Sequence, residues 1–79
     1  MLSTTQVKDM IEKGLSGATA EVNDLTGTGD HFEATVVSEA FSGLSLIKQH
    51  QLVYAALGDA MAGPVHALKL KTMTPKQAN

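Results

Sequence analysis

His31 and His66 are the residues of this chain best suited to chemistry. Neutral imidazole is the commonest side-chain ligand for transition metals, and the chain has no cysteine that could supply a thiolate instead. Two nitrogens are too few to close a metal site, since zinc usually takes four ligands. A metal held by this pair would need further ligands from a partner or a small thiol. On spacing alone, the commoner role for histidines at strand ends is capping or hydrogen bonding. His50 lies on an apolar stripe and reads as a core histidine hydrogen-bonded to backbone.

The remaining titratable residues form no catalytic set. Asp9, Glu12, Asp24, Asp30, Glu33, Glu39 and Asp59 are scattered over different elements, and nothing marks a nucleophile, so no enzyme is expected. The charges available to a nucleic acid are Lys48, Lys69, Lys71 and Lys76, too few for strong phosphate binding. Lys69 and Lys71 share one face of the last strand, where a solvated face explains them. Gly14-Leu15-Ser16-Gly17 matches the G-x-x-G loop with which KH domains clamp a nucleic-acid backbone. The match is weak, because its middle residues carry no charge and it leads into a strand rather than joining two helices.

The elements that must position these residues follow from periodicity. Ser3, Thr4 and Thr5 can cap a first helix, in which Val7, Met10, Ile11 and Leu15 recur at helical spacing until Gly14 and Gly17 end it. Residues 19–25 alternate as a half-buried strand, with Ala20 and Val22 on one side. The turn-rich segment 26–30, T-G-T-G-D, suits an antiparallel hairpin into a second strand over about 31–38, with Phe32, Ala34 and Val36 inward. After a tight turn at Phe41-Ser42-Gly43, Ser45 is placed to cap the main helix. Its stripe is Leu46, His50, Val53, Leu57 and Met61, widened by Ile47 and Tyr54, and Gly63-Pro64 stops it. Residues 65–73 alternate as the last strand, and Thr74-Pro75 opens a terminal helical turn.

The order is therefore α-β-β-α-β. A strand, crossover helix and next strand of one sheet form a parallel pair with a right-handed connection. The expected fold is α+β, a three-stranded mixed sheet covered by helices on one face. Parallel strands begin at the same edge, about 5 Å apart, which brings His31 and His66 to one rim. Strict alternation puts His66 in phase with Leu68 and Leu70, and His31 out of phase with Phe32 and Ala34. The two imidazoles then leave opposite faces unless the 26–30 loop turns His31 across.

At 79 residues, 43% of them apolar and only three aromatic, the chain is one domain (1–79). Its core must come from Leu, Val, Ala and Met, and it buries roughly 60–65% of its surface. A net charge of −2 argues against binding nucleic acid by bulk charge. No run is long and apolar enough to span a membrane, and the N-terminus lacks the charged and apolar regions of a signal peptide. A cytoplasmic domain is expected.

Four segments together resemble the BolA family: Val36-Val37-Ser38 through Phe41-Ser42-Gly43, Lys48-Gln49-His50-Gln51-Leu52-Val53-Tyr54, Val65-His66-Ala67-Leu68, and Thr72-Met73-Thr74-Pro75. The resemblance covers nearly the whole chain. It implies an α-β-β-α-β fold similar to class II KH domains and a non-enzymatic role in iron homeostasis or redox regulation. The implied partner is a monothiol glutaredoxin, which forms a heterodimer around a shared [2Fe-2S] cluster and supplies a cysteine and a glutathione thiolate. The BolA-like partner supplies the V-H-A-L histidine, here His66, and a Cys or His from the loop before the second strand. Gly29-Asp30-His31-Phe32 resembles the His type, which makes His31 the second candidate ligand.

Imidazole in place of thiolate removes negative charge from the cluster, as in Rieske centres, and raises its potential. It also makes the site acid-labile, because protons compete with metal. No cofactor is expected for the chain alone, as a monomer or weak homodimer. The alternative the resemblance carries is a transcriptional regulator that binds DNA weakly. Many members read R-H-R where this chain has Gln49-His50-Gln51, and T-P-x-E-W where it has Thr74-Pro75-Lys76-Gln77-Ala78. The first departure weakens nucleic-acid binding, and the second removes a C-terminal feature that could touch a partner.

Overall fold

Ser3 starts the first helix with a reciprocal cap. Its hydroxyl accepts the Gln6 N–H at 3.1 Å while its own N–H donates to Gln6 Oε1 at 2.8 Å, so two otherwise orphaned donors are satisfied at once. A computed structural model describes residues 3–29, 31–58 and 67–78. The helix it opens, α1, spans Thr4–Gly14 and buries Val7 and Ile11 completely. Glu12 fastens α1 to the sheet: its Oε2 accepts from Lys8 Nζ at 2.8 Å and from the Ala20 N–H at 3.0 Å.

Strand β1, Thr19–Asp24, pairs antiparallel with β2, His31–Val37, matching Ala20 to Val36 and Val22 to Ala34. Strand β3, Ala67–Met73, pairs parallel with β2, matching Phe32 to Leu68 and Ala34 to Leu70. The sheet order is β1-β2-β3, so β2 is central. Its alternation is complete: Phe32, Ala34 and Val36 are fully buried while Glu33 and Thr35 are half-buried. Between β2 and the second helix, a single 3₁₀ turn at Glu39–Phe41 buries Phe41. The buried Ser38 anchors that turn. Its hydroxyl accepts the Ala40 N–H at 3.1 Å, and its N–H donates to the Met73 carbonyl of β3 at 3.0 Å.

Helix α2 spans Leu46–Leu57, capped by Ser45, whose hydroxyl accepts the Lys48 N–H at 3.3 Å. Two expectations for it fail. The helix ends at Gly58, which takes a positive φ of 54° at little cost because it has no Cβ. Met61 and the Gly63-Pro64 stop lie outside the described residues. The inward stripe is also rotated. Leu46, Ile47 and Tyr54 are 61%, 71% and 39% exposed, whereas Gln49, Leu52, Val53, Ala56 and Leu57 turn inward. That set follows i, i+3, i+4, i+7, i+8 from Gln49, a proper helical face. Gln49 can sit there because its amide is matched: Nε2 donates to the Leu44 carbonyl at 2.9 Å, and Oε1 accepts from Thr72 Oγ1 at 2.7 Å.

The terminal turn α3, Pro75–Ala78, is capped by Thr74 in the same reciprocal way as α1. Gln77 N–H donates to Thr74 Oγ1 at 3.3 Å, and Thr74 N–H donates to Gln77 Oε1 at 2.8 Å. Both long helices lie on one face of the mixed sheet, as the element order requires.

The helices approach closely at Gly14. A Cβ there would overlap the Cβ of Ala56 and come within 2.7 Å of its Cα, and backbone cannot step aside as a side chain can. In the G-x-x-G segment, Gly14 is thus a packing joint between α1 and α2 and Leu15 is only 7% exposed, while Ser16 and Gly17 are exposed. Gly14→Ala should destabilise the fold by about 1–3 kcal/mol, read as a lower urea midpoint; an unchanged midpoint would contradict this close approach.

Glu12 gives a pH dependence. Its hydrogen bond from Lys8, aided by that from the Ala20 N–H, holds the carboxyl below its ordinary value of 4.5. The stabilisation is therefore present above 4.5 and is lost as pH falls through the lower folded value. Glu12→Gln keeps an acceptor for Ala20 but cannot ionise. The urea midpoint of the native chain should exceed that of the variant at pH 7, and the gap should close as the carboxyl is protonated. A gap that persists unchanged in acid contradicts the assignment.

Candidate functional site

The residues that precede His31 are arranged by a single carboxylate. Asp24, the last residue of β1, accepts the N–H groups of Thr26 at 3.3 Å and Gly27 at 2.9 Å through Oδ1, and that of Gly29 at 2.9 Å through Oδ2. Gly27 and Gly29 both have φ of +76°, a conformation that turns successive amides inward and that side chains resist. Leu25 N–H then donates to the His31 carbonyl at 2.8 Å, closing the hairpin at the residue that opens β2.

His31 is half-buried, and β2 alternates so that it falls with Glu33 and Thr35, one residue out of phase with buried Phe32. Its partner across the parallel register is Ala67. His66, the preceding residue in sequence, lies outside the described residues, as do Asp30 and Val65. Among the described residues there is no grouping of three or more His, Cys, Asp or Glu that could hold a metal ion.

The uncovered sheet face beside His31 is polar. Register sets Glu33 against Lys69 and Thr35 against Lys71, and these four with Leu70 line a shallow depression of about 420 Å³. Lys69 Nζ lies 3.8 Å from Glu33 Oε2, an exposed ion pair of the kind that contributes little to stability. Lys48 on α2 and Lys76 on α3 are also exposed. Of the four lysines, only Lys69 and Lys71 share a site.

His50 is half-buried, but its Nε2 is buried with no hydrogen-bond partner among the described residues. The backbone hydrogen bond expected of a core histidine is not made by that nitrogen. Sequence reading also passed over Asp24 and Gln49. A signal for Asp24 was available, because an aspartate followed by T-G-T-G is composed to bond its own downstream amides. None existed for Gln49, since its acceptors and its donor come from the loop before α2 and from β3.

Comparison with known proteins agrees with this architecture. The BolA-like protein family model matches residues 4–77. The chain is 37% identical over 78 residues to BolA-like protein 1 of Homo sapiens, covering 90% of this chain and 57% of that protein. The chain thus spans little more than half the length of that curated relative. It is 43% identical over 51 residues to the DNA-binding transcriptional regulator BolA of Vibrio cholerae, covering 65% of this chain and 48% of that one. A bolA homologue from Coxiella burnetii superposes with a TM-score of 0.87 at 42% identity, covering 99% of this chain and 97% of the other. With the α-β-β-α-β order, the parallel β2–β3 pair and the matched residues in agreement, this chain belongs to the BolA-like protein family.

Proposed function

We propose that the chain is a non-enzymatic adaptor that pairs with a monothiol glutaredoxin and shares a [2Fe-2S] cluster with it, in iron–sulfur assembly and trafficking or in iron and redox sensing. The observation that carries this reading is the parallel register that pairs His31 with Ala67, the sequence neighbour of His66. The start of β3 thereby lies beside His31, which supports a site at that rim.

The donor chemistry fits such a group: imidazole nitrogen is an accepted iron ligand in two-iron clusters. The remaining ligands would be a partner's thiolates. When bound, the cluster supplies one-electron chemistry and a transferable iron–sulfur unit. This chain's contribution is to hold His31 at the start of β2, with Phe32 fixed in the core directly behind it. Alone, the protein is then cluster-free, as a monomer or weak homodimer.

Co-expression with a monothiol glutaredoxin and glutathione should yield a coloured heterodimer. His66→Ala and His31→Ala should each shift or abolish its visible circular dichroism without preventing folding. Spectra that match the native complex for both variants would sink the ligand assignment.

A second reading is a DNA-binding regulator, favoured by the name of the Vibrio cholerae relative. With only Lys69 and Lys71 sharing a site, about two phosphates can be neutralised together, so log K should fall with log salt at a slope near −2. A slope near −4, with sequence preference at about 0.15 M salt, would favour the regulator and place all four lysines on one contact surface.

A further inference from the structure

We infer that Asp24 is a positioning residue for His31. Its carboxylate is the hub of the hairpin loop, with two oxygens receiving three backbone N–H groups from Thr26, Gly27 and Gly29. The loop is short, leads from one end of this hub to His31, and is shut by the Leu25 N–H to His31 carbonyl bond. Asp24 also lies in register with Phe32 across the antiparallel pair, and Phe32 is fully buried. The hub is therefore anchored to the core at one end and to the candidate ligand at the other.

The charge of the hub fits the task. Three converging amides present partial positive charge that an ionised carboxylate matches better than any neutral side chain. A loop held this way meets an incoming metal with its imidazole already placed, so less ordering is needed on binding. Outer-shell groups that orient a ligand commonly change metal affinity by about 10–100-fold when removed. The structural part stands on the free chain, while its consequence for metal rests on the reading of His31 as a ligand.

The two oxygens have different partners, which makes the test specific. Asparagine can accept from Thr26 and Gly27 through its carbonyl, but its NH₂ would face the Gly29 N–H, donor against donor. In the free chain, followed by NMR, Asp24→Asn should speed amide exchange at Gly29 about tenfold while leaving Gly27 nearly unchanged. Asp24→Ala should speed both, and in both variants the His31 imidazole signals should move or broaden. Zinc ion alone, titrated as a probe, should perturb His31 in the native chain at about tenfold lower concentration than in Asp24→Ala. Unchanged Gly29 exchange and unchanged His31 signals in the asparagine variant would overturn the positioning role. If zinc leaves His31 of the native chain unperturbed while the exchange pattern appears as described, the ligand reading falls and the positioning role stands. Should the alanine variant fail to fold, the asparagine variant still decides.

Discussion

The parallel pairing of β2 with β3 is the constraint on which the rest of the molecule depends. It exists because α2 connects the two strands, and a crossover helix brings the chain back to start its next strand at the same edge. The central strand then buries Phe32, Ala34 and Val36 against the helices and leaves Glu33 and Thr35 facing Lys69 and Lys71 across the register. One core-directed alternation thus sets both the packing and the polar face. A slip by one residue would exchange the two, so hydrophobic burial along the whole strand keeps His31 in register with Ala67.

The helices show how little slack that arrangement has. At Gly14 the backbones of α1 and α2 come so near that a methyl group has no place. Glu12 ties the same end of α1 to the first strand by a charge-assisted bond to the Ala20 amide. Gln49 closes the other side, joining the loop before α2 to Thr72 of β3. These three residues join elements that periodicity can only place in order.

Much of this was legible in the residues themselves. The capping residues Ser3, Ser45 and Thr74, the strand alternations and the parallel pair all rest on local patterns with a direct physical cause. What escaped depends on partners distant in sequence. Gln49 reads as a surface residue until Thr72 and Leu44 are brought to it, and that misreading rotated the expected stripe toward Leu46 and Tyr54. Gly58 ends α2 before the stronger-looking Gly63-Pro64 signal. The order of the loop before His31 was hidden in a glycine-rich run that looked like a mere connection. The two candidate ligands came from topology and family resemblance together; spacing alone favoured the blander roles.

The central claim is that this chain places imidazole nitrogen on iron. The most direct measurement labels only this chain with ¹⁵N-histidine, assembles it with an unlabelled monothiol glutaredoxin and glutathione, and records pulsed electron paramagnetic resonance of the reduced complex. Two strongly coupled ¹⁵N nuclei are predicted, falling to one when His31 is replaced by alanine. A spectrum without ¹⁵N coupling from this chain would contradict the account.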